Sequence, residues 1–342
     1  MGRTRLSSSA PPPDPRLASL NRSRWLAFAL GLLGLCVIAV GVTEWVRAIP
    51  DRPGPLTESR DIVIAPGGTQ DVAEQLRHAR VIDNAITFQA VAWWTADQGP
   101  LRAAEFRFPA QASLRHTLAI LRTARPVEHR VTIPEGLTAA RIREILDRVD
   151  AASGVTGDVA EGSVLPNTYH FERGLARPVI LGRAQAAMTR EVAAAWESRA
   201  PDLPLTSPRE LVILASIVER ETARAEERAR VAGVFINRLR RGTRLQSDPT
   251  VIYTVSGGTG MLDRKLTRAD LDRDDPFNTY RFSGLPPHPI SAPGVASLRA
   301  VANPARTEDL FFVADGDGGH SFARTLDEHN RNVARYRERL GQ

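Results

Sequence analysis

One cysteine in 342 residues, Cys36, has no partner for a disulfide within the chain and excludes a cysteine-based zinc site. Lysine is as scarce: Lys265 stands alone and nearly every basic side chain is Arg, a bias that genome composition explains before any function does. The seven histidines show no HxxxH or HExxH spacing, and the Asp315–Asp317 loop lacks the closing Glu of a calcium site. No GxSxG, no GxxxxGK[ST] and no GxGxxG between a strand and a helix occurs, which removes the serine-hydrolase elbow, the P-loop and the dinucleotide fold. No metal and no cofactor is therefore expected. The net charge of +6 hints at nucleic acid, but residues 1–24 hold five arginines against one aspartate, a net +4. Only +2 is left for the rest of the chain, and no nucleic-acid partner is expected.

What is present is one long apolar run. Trp25 to Thr43 reads WLAFALGLLGLCVIAVGVT without a charge, and as a helix it would span about 28 Å, near the ~30 Å hydrocarbon thickness. Trp25 and Trp45 flank it at interface depth. The run is long for a signal-peptide core and no A-x-A site follows, so a retained transmembrane helix is predicted over 25–46. Arginines before it place the N-terminus in the cytoplasm and everything after Arg47 outside the cytoplasmic membrane. Residues 1–24, with SSSAPPPDP, form a tail, and a Pro-rich linker occupies 47–60.

The rest reads as an α+β chain in three parts. Asp61–Ala65 is a predicted strand, turned by Pro66-Gly67-Gly68-Thr69 into a helix near Val72–His78. Glu105–Phe108 and Val127–Ile133 alternate like half-buried strands. A Gly-containing turn and a Thr cap repeat before a helix over Ala139–Val149. These readings give a small α+β module over 61–125, a connecting region over 126–204 that carries the unusual patch Glu161–Tyr169, and a mixed α/β domain over 205–342. Ser207-Pro208-Arg209-Glu210 is a capping box opening a helix that is apolar almost all round through Val218, hence buried. A second helix is expected over Ala225–Arg241, closed by Gly242. A short buried strand is expected over Leu310–Val313.

Two carboxylates end the buried helix. At about 100° per residue, Glu221 lies over Leu214 and Ile217, whereas Glu219 lies over Val212 near Arg209, Ser216 and Arg220. Glu221 is the one expected to lose its water, and a desolvated carboxyl stays protonated near neutral pH and serves as a general acid. On spacing alone an i+3 pair with Arg224 is the more ordinary role for Glu221. Asp248 reads as a cap before Pro249 or as a site residue, and His320 as a turn residue or a site residue.

The ordered series Ala215-Ser216-Ile217-Val218-Glu219-Arg220-Glu221-Thr222, Val234–Leu239, Leu245-Gln246-Ser247-Asp248-Pro249-Thr250, Asn278-Thr279-Tyr280, Gly284-Leu285-Pro286-Pro287 and Phe312–Gly316 with Gly319-His320-Ser321-Phe322 resembles the endolytic murein transglycosylase (YceG-like) family. The resemblance implies a LysM-like module over 61–125 and a catalytic domain over 205–342. It also implies cleavage between N-acetylmuramic acid and N-acetylglucosamine within glycan strands, leaving 1,6-anhydro ends. The matched position makes Glu221 the catalytic acid and then base. Gln246, Asp248, Asn278, Tyr280 and His320 are candidates for holding saccharide and orienting Glu221. Implied partners are peptidoglycan strands and the synthases (penicillin-binding proteins) that make them. A silent wall-binding anchor and a hydrolase using Asp248 as second carboxylate are the competing readings. Two departures stand out: Ala104-Glu105-Phe106 has no glycine before its aromatic strand, and Pro166-Asn167-Thr168-Tyr169 replaces Pro-Asp-Thr-Tyr.

Overall fold

The computed structural model describes Phe28, residues 30–37, Val40, Thr43, Glu44 and residues 48–341. The predicted tail and much of the predicted span over 25–46 lie outside the described residues. Those of the span that are described are helical, with Leu30, Leu33 and Leu35 exposed. Among the described residues no helix is long and apolar enough to cross a membrane. The chain divides into two compact units, Met1–Val127 and Glu128–Gln342. Between them they hold many helices and three two-stranded sheets, a mixed α and β architecture.

The first unit runs β1 (Arg60–Val63), α1 (Thr69–His78), α2 (Ala85–Trp94), β2 (Glu105–Phe108) and α3 (Leu114–Thr123). β1 and β2 pair antiparallel, from Arg60 opposite Phe108 to Val63 opposite Glu105. Period-two alternation on β2 buries Phe106 and Phe108 completely and turns Arg107 outward to Asp61 at 2.7 Å. The two phenylalanines meet Leu76, Phe88 and Leu121 in the core. Each such side chain contributes about 1.5–3 kcal/mol by leaving water. Gly68 rather than Thr69 occupies the cap of α1, because the Asp71 carboxylate accepts the Gly68 N–H at 2.8 Å. The sequence reading omits α2, whose AITFQAVAWW is apolar on every side and carries no helical period.

The second unit begins with β3 (Glu128–Thr132), α4 (Ala139–Asp147), β4 (Thr168–Glu172) and α5 (Arg177–Glu197). β3 and β4 pair antiparallel, Glu128 opposite Glu172 through Thr132 opposite Thr168. Thr138 stands at the cap of α4, but its hydroxyl donates to the Thr259 carbonyl; the Ala139 N–H is taken instead by Glu161 Oε1 at 2.8 Å. That is one use of the patch 161–169. Gly162 is another: its φ is +72°, and a Cβ there would stand 2.6 Å from Pro289 Cγ, so only glycine fits.

The chain continues through α6 (Pro208–Glu221), α7 (Arg228–Arg240), α8 (Asp248–Val255), α9 (Arg268–Leu271), α10 (Val295–Ala302), β5 (Phe311–Ala314), β6 (His320–Ala323) and α11 (Leu326–Arg339). α6 is the centre of the unit, and Leu211 through Val218 are all buried. Their partners include Val231 and Phe235 of α7, Leu298 and Val301 of α10 and Met188 of α5. Ser207 accepts the Glu210 N–H at 3.3 Å as expected, while the Glu210 carboxylate takes the Thr206 N–H at 2.6 Å rather than that of Ser207. α7 starts at Arg228, three residues later than expected. The Thr222 hydroxyl accepts the Arg224 N–H and donates to the Glu227 carboxylate, which holds the intervening residues in a turn. β5 is half-buried rather than buried, since it belongs to a two-stranded hairpin with β6.

Candidate active site

Glu221 is the last residue of α6; Thr222 turns to extended backbone at φ −138° and ends the helix. The carboxyl sits at the negative end of the helix dipole, where a charge is disfavoured. Burial pushes it up to about 7. The Ser247 hydroxyl, donating to Oε1 at 2.5 Å, pulls the other way; the charge of Asp248 adds to the rise, and that of Arg238 subtracts from it. The i+3 pair with Arg224 does not form, because that guanidinium donates to the Asp317 carbonyl. Glu221 makes no ion pair among the described residues.

Ser247 is fixed by the loop that precedes α8. Its N–H donates to Thr279 Oγ1 at 2.9 Å, and its carbonyl accepts the Thr250 hydroxyl at 2.7 Å. Gln246 adopts φ +51°, and its N–H donates to the Thr279 carbonyl at 3.1 Å. Asp248 opens α8 and accepts the Tyr280 hydroxyl at 2.6 Å. Burial and the neighbouring Asp248 hold the Tyr280 phenol above its ordinary range. Asn278 is fully buried: its amide donates to the carbonyls of Leu271 and Arg273 at 3.0 and 2.8 Å, and its oxygen accepts the Tyr280 N–H at 3.0 Å. Asn278 thus shapes the loop that presents Tyr280, with its own polar atoms used internally.

Gln246 is exposed and lines a cleft of about 430 Å³ together with Arg238, Arg244 and Phe311. His320 lies on β6, where its Nδ1 stands 2.7 Å from Glu227 Oε2 and its ring packs edge-on to Phe312. The same Glu227 oxygen accepts the Thr222 hydroxyl at 3.2 Å, so the imidazole is tied to the residue that follows Glu221. Of the six residues singled out from the sequence, Glu221, Asp248 and Tyr280 are linked by direct bonds or charge. Gln246 sits one residue from Ser247, His320 joins through Glu227, and Asn278 lies behind the loop.

Glu219 is the sharpest departure from the helical-face argument. Its side chain is only 5% exposed. It accepts the Gly294 N–H at 2.8 Å and stands 3.6 Å from Arg228. The loop that ends at Gly294 and the start of α7 cover the side of α6 that the helical wheel left open. Ser216 is fully buried there as well, accepting the Ile290 N–H at 3.0 Å. Sequence reasoning passed over Ser247, Arg238, Glu227 and Thr279. Ser247 and Thr279 lay inside the quoted motifs, and a hydroxyl next to Asp248 was the available signal. Arg238 and Glu227 carried none, since each depends on a partner more than 70 residues away, Leu310 for Arg238 and His320 for Glu227.

The model of the YceG-like family matches residues 62–335, and the chain belongs to that family. It is 33% identical over 176 residues to the endolytic murein transglycosylase of Bacillus subtilis (strain 168), covering 52% of this chain and 48% of that protein. It is 31% identical over 183 residues to the protein of the same name from Streptococcus pneumoniae serotype 2 (strain D39), covering 52% of this chain and 32% of that one. The chain thus spans about half the length, or less, of the curated relatives it matches. The crystal structure of a YceG-like protein from Listeria monocytogenes aligns with a TM-score of 0.52 at 26% identity, over 80% of this chain and 98% of that one.

Proposed function

We propose that this chain is a membrane-anchored lytic transglycosylase of peptidoglycan that cuts the bond between N-acetylmuramic acid and N-acetylglucosamine inside glycan strands. One observation carries the reading. Glu221 is a half-buried, desolvated carboxyl without an ion pair among the described residues, poised near pH 7 and oriented by one hydroxyl. Protonated Glu221 gives its proton to the leaving glycosidic oxygen as the C1–O bond breaks. The muramoyl C6 hydroxyl then closes on C1 and returns its proton to the carboxylate, leaving a 1,6-anhydro end. Because the acceptor is internal, one carboxyl serves as acid and then base, where hydrolytic glycosidases use two. General acid–base catalysis of this kind is worth about 10²–10⁴-fold. Asp248 and Tyr280 set the charge around Glu221, while Gln246 and His320 face the saccharide.

The other parts of the reading rest on the sequence. The apolar run over 25–46 anchors the chain in the cytoplasmic membrane with its N-terminus inside, and the second unit works outside. The β–α–α–β order of the first unit supports a LysM-like module over 61–125. Cleavage of nascent strands beside the synthases would end their elongation.

The test is mass spectrometry of products from purified glycan strands, with wild type and Glu221→Gln side by side. Internal fragments ending in 1,6-anhydro-muramic acid, absent with the variant, are expected. Reducing ends would favour hydrolysis with Asp248 as second carboxylate, the reading that the charge of Asp248 on Glu221 supports. Strands bound but uncut would favour a silent wall anchor.

A further inference from the structure

The cleft beside Gln246 carries a charge that bond cleavage does not require. It holds about 430 Å³, its lining includes Arg238, Arg241, Arg244, Ser283 and Phe311, and no acidic side chain lines it. Arg238 is 9% exposed, and its bonds go to neutral oxygens: Nε to the Leu310 carbonyl at 2.6 Å and Nη1 to the Leu245 carbonyl at 2.6 Å. Arg244 donates to the Tyr280 carbonyl at 3.1 Å. The Arg241 guanidinium has no hydrogen bond or ion pair among the described residues. Its neighbour Arg240 pairs with Asp202 at 2.8 Å, and Arg230, Arg264 and Arg115 each hold an aspartate. Abundance of arginine alone therefore does not account for three guanidinium groups sharing one concave site with no acid.

Guanidinium forks match carboxylates, and charge-assisted bonds to them are about twice as strong as neutral ones. The cleft also lies one residue from Ser247, the donor to Glu221. The sugar rings of a glycan strand are uncharged, and the anionic part of each repeat is the lactyl arm of the muramoyl residue or the peptide carried on it. We propose that this cleft is a carboxylate subsite that receives that arm and so sets the register of the strand over Glu221. The inference rests on the transglycosylase reading, and its test separates the two.

The test measures equilibrium binding of fluorescent soluble strands to the full-length chain in detergent, carrying Glu221→Gln so that nothing is cut. Three probes are used: peptide-bearing strands, the same strands with carboxylates blocked by carbodiimide and methylamine, and strands stripped of peptide to expose the lactyl carboxylate. Blocking should weaken binding about tenfold. Arg241→Gln with Arg244→Gln should weaken binding of unblocked strands by a similar factor and remove the sensitivity to blocking. Arg337→Gln, exposed on α11, should leave that sensitivity intact. A loss on blocking assigns the peptide carboxylates, since the lactyl carboxyl of a peptide-bearing strand is already an amide. Stripped strands that bind like unblocked ones show that the exposed lactyl carboxylate fills the cleft as well; stripped strands that bind like blocked ones restrict it to the peptide. Equal binding of blocked and unblocked strands overturns the subsite, and so does an equal loss with Arg337→Gln. Wild-type turnover, run in parallel, judges the transglycosylase reading on its own: absence of any cleavage would sink it without touching the binding result.

Discussion

The Ser247 hydroxyl and Glu221 Oε1 lie 2.5 Å apart, and this is the single hydrogen bond of that carboxyl among the described residues. The bond favours the charged form and opposes the effect of burial. A general acid must enter the reaction protonated, so kcat/KM should fall as pH rises through about 7. Ser247→Ala removes the downward pull, so this limb should move to higher pH. Loss of orientation should also lower kcat, by about tenfold. A pH–rate profile checks both, and an unmoved limb would detach Ser247 from the titration.

Asp248 acts in the opposite direction. Its charge raises Glu221, so Asp248→Asn should draw the same limb to lower pH. The 1,6-anhydro product should persist, because the proposed reaction needs no second carboxylate. Complete loss of cleavage with Asp248→Asn, together with reducing ends from the wild type, would instead identify a hydrolase.

Two half-buried, desolvated carboxyls also make stability depend on pH. Glu221 and Glu161 are each pushed up to about 7, chiefly by burial. A raised carboxyl binds its proton more tightly in the folded state, so its contribution is fully present below the usual carboxylate range. That contribution is lost as pH rises through about 7. Glu221→Gln should therefore melt a few degrees above wild type at pH 8 and show no gain at pH 4. Glu161→Gln, which keeps an acceptor for the Ala139 N–H, should behave likewise. Scanning calorimetry at the two pH values decides.

Legibility from sequence followed the reach of each interaction. Strong local signals located elements well: β2 runs from Glu105 to Phe108 as its alternation indicated, and the Pro208 capping signal marked the start of α6. Where no period exists, as in the uniformly apolar α2, the element was missed. The candidate site divided in the same way. Glu221 stood out as a candidate because its helix is apolar almost all round and its motif is distinctive. The burial of Glu219 was not, since the helical wheel of one helix is silent about a loop 75 residues later that covers its polar side. Gln246 and Asn278 were both named for their amides, yet only tertiary contacts separate an exposed cleft residue from a buried one that braces a loop.

Glu219 and Glu221 lie two residues apart and should fail differently. Glu219 neutralises Arg228, itself largely covered, and accepts the N–H of Gly294 at the start of α10. Removing one member of a buried pair leaves the other charge uncompensated, at a cost of about 3–5 kcal/mol. Arg228 also stands 3.7 Å from the half-exposed Glu135, which softens the loss. Glu219→Ala should thus cost about 3 kcal/mol, or a drop in Tm of about 6–12 °C in a unit of this size. Its charge does not figure in the titration of Glu221, so the molecules that remain folded should keep the wild-type pH limb. Glu221→Ala should do the reverse, holding or raising Tm at neutral pH while cleavage vanishes. Melting curves paired with product analysis on both variants read the contrast directly, and a stable, inactive Glu219→Ala would move the catalytic role to Glu219.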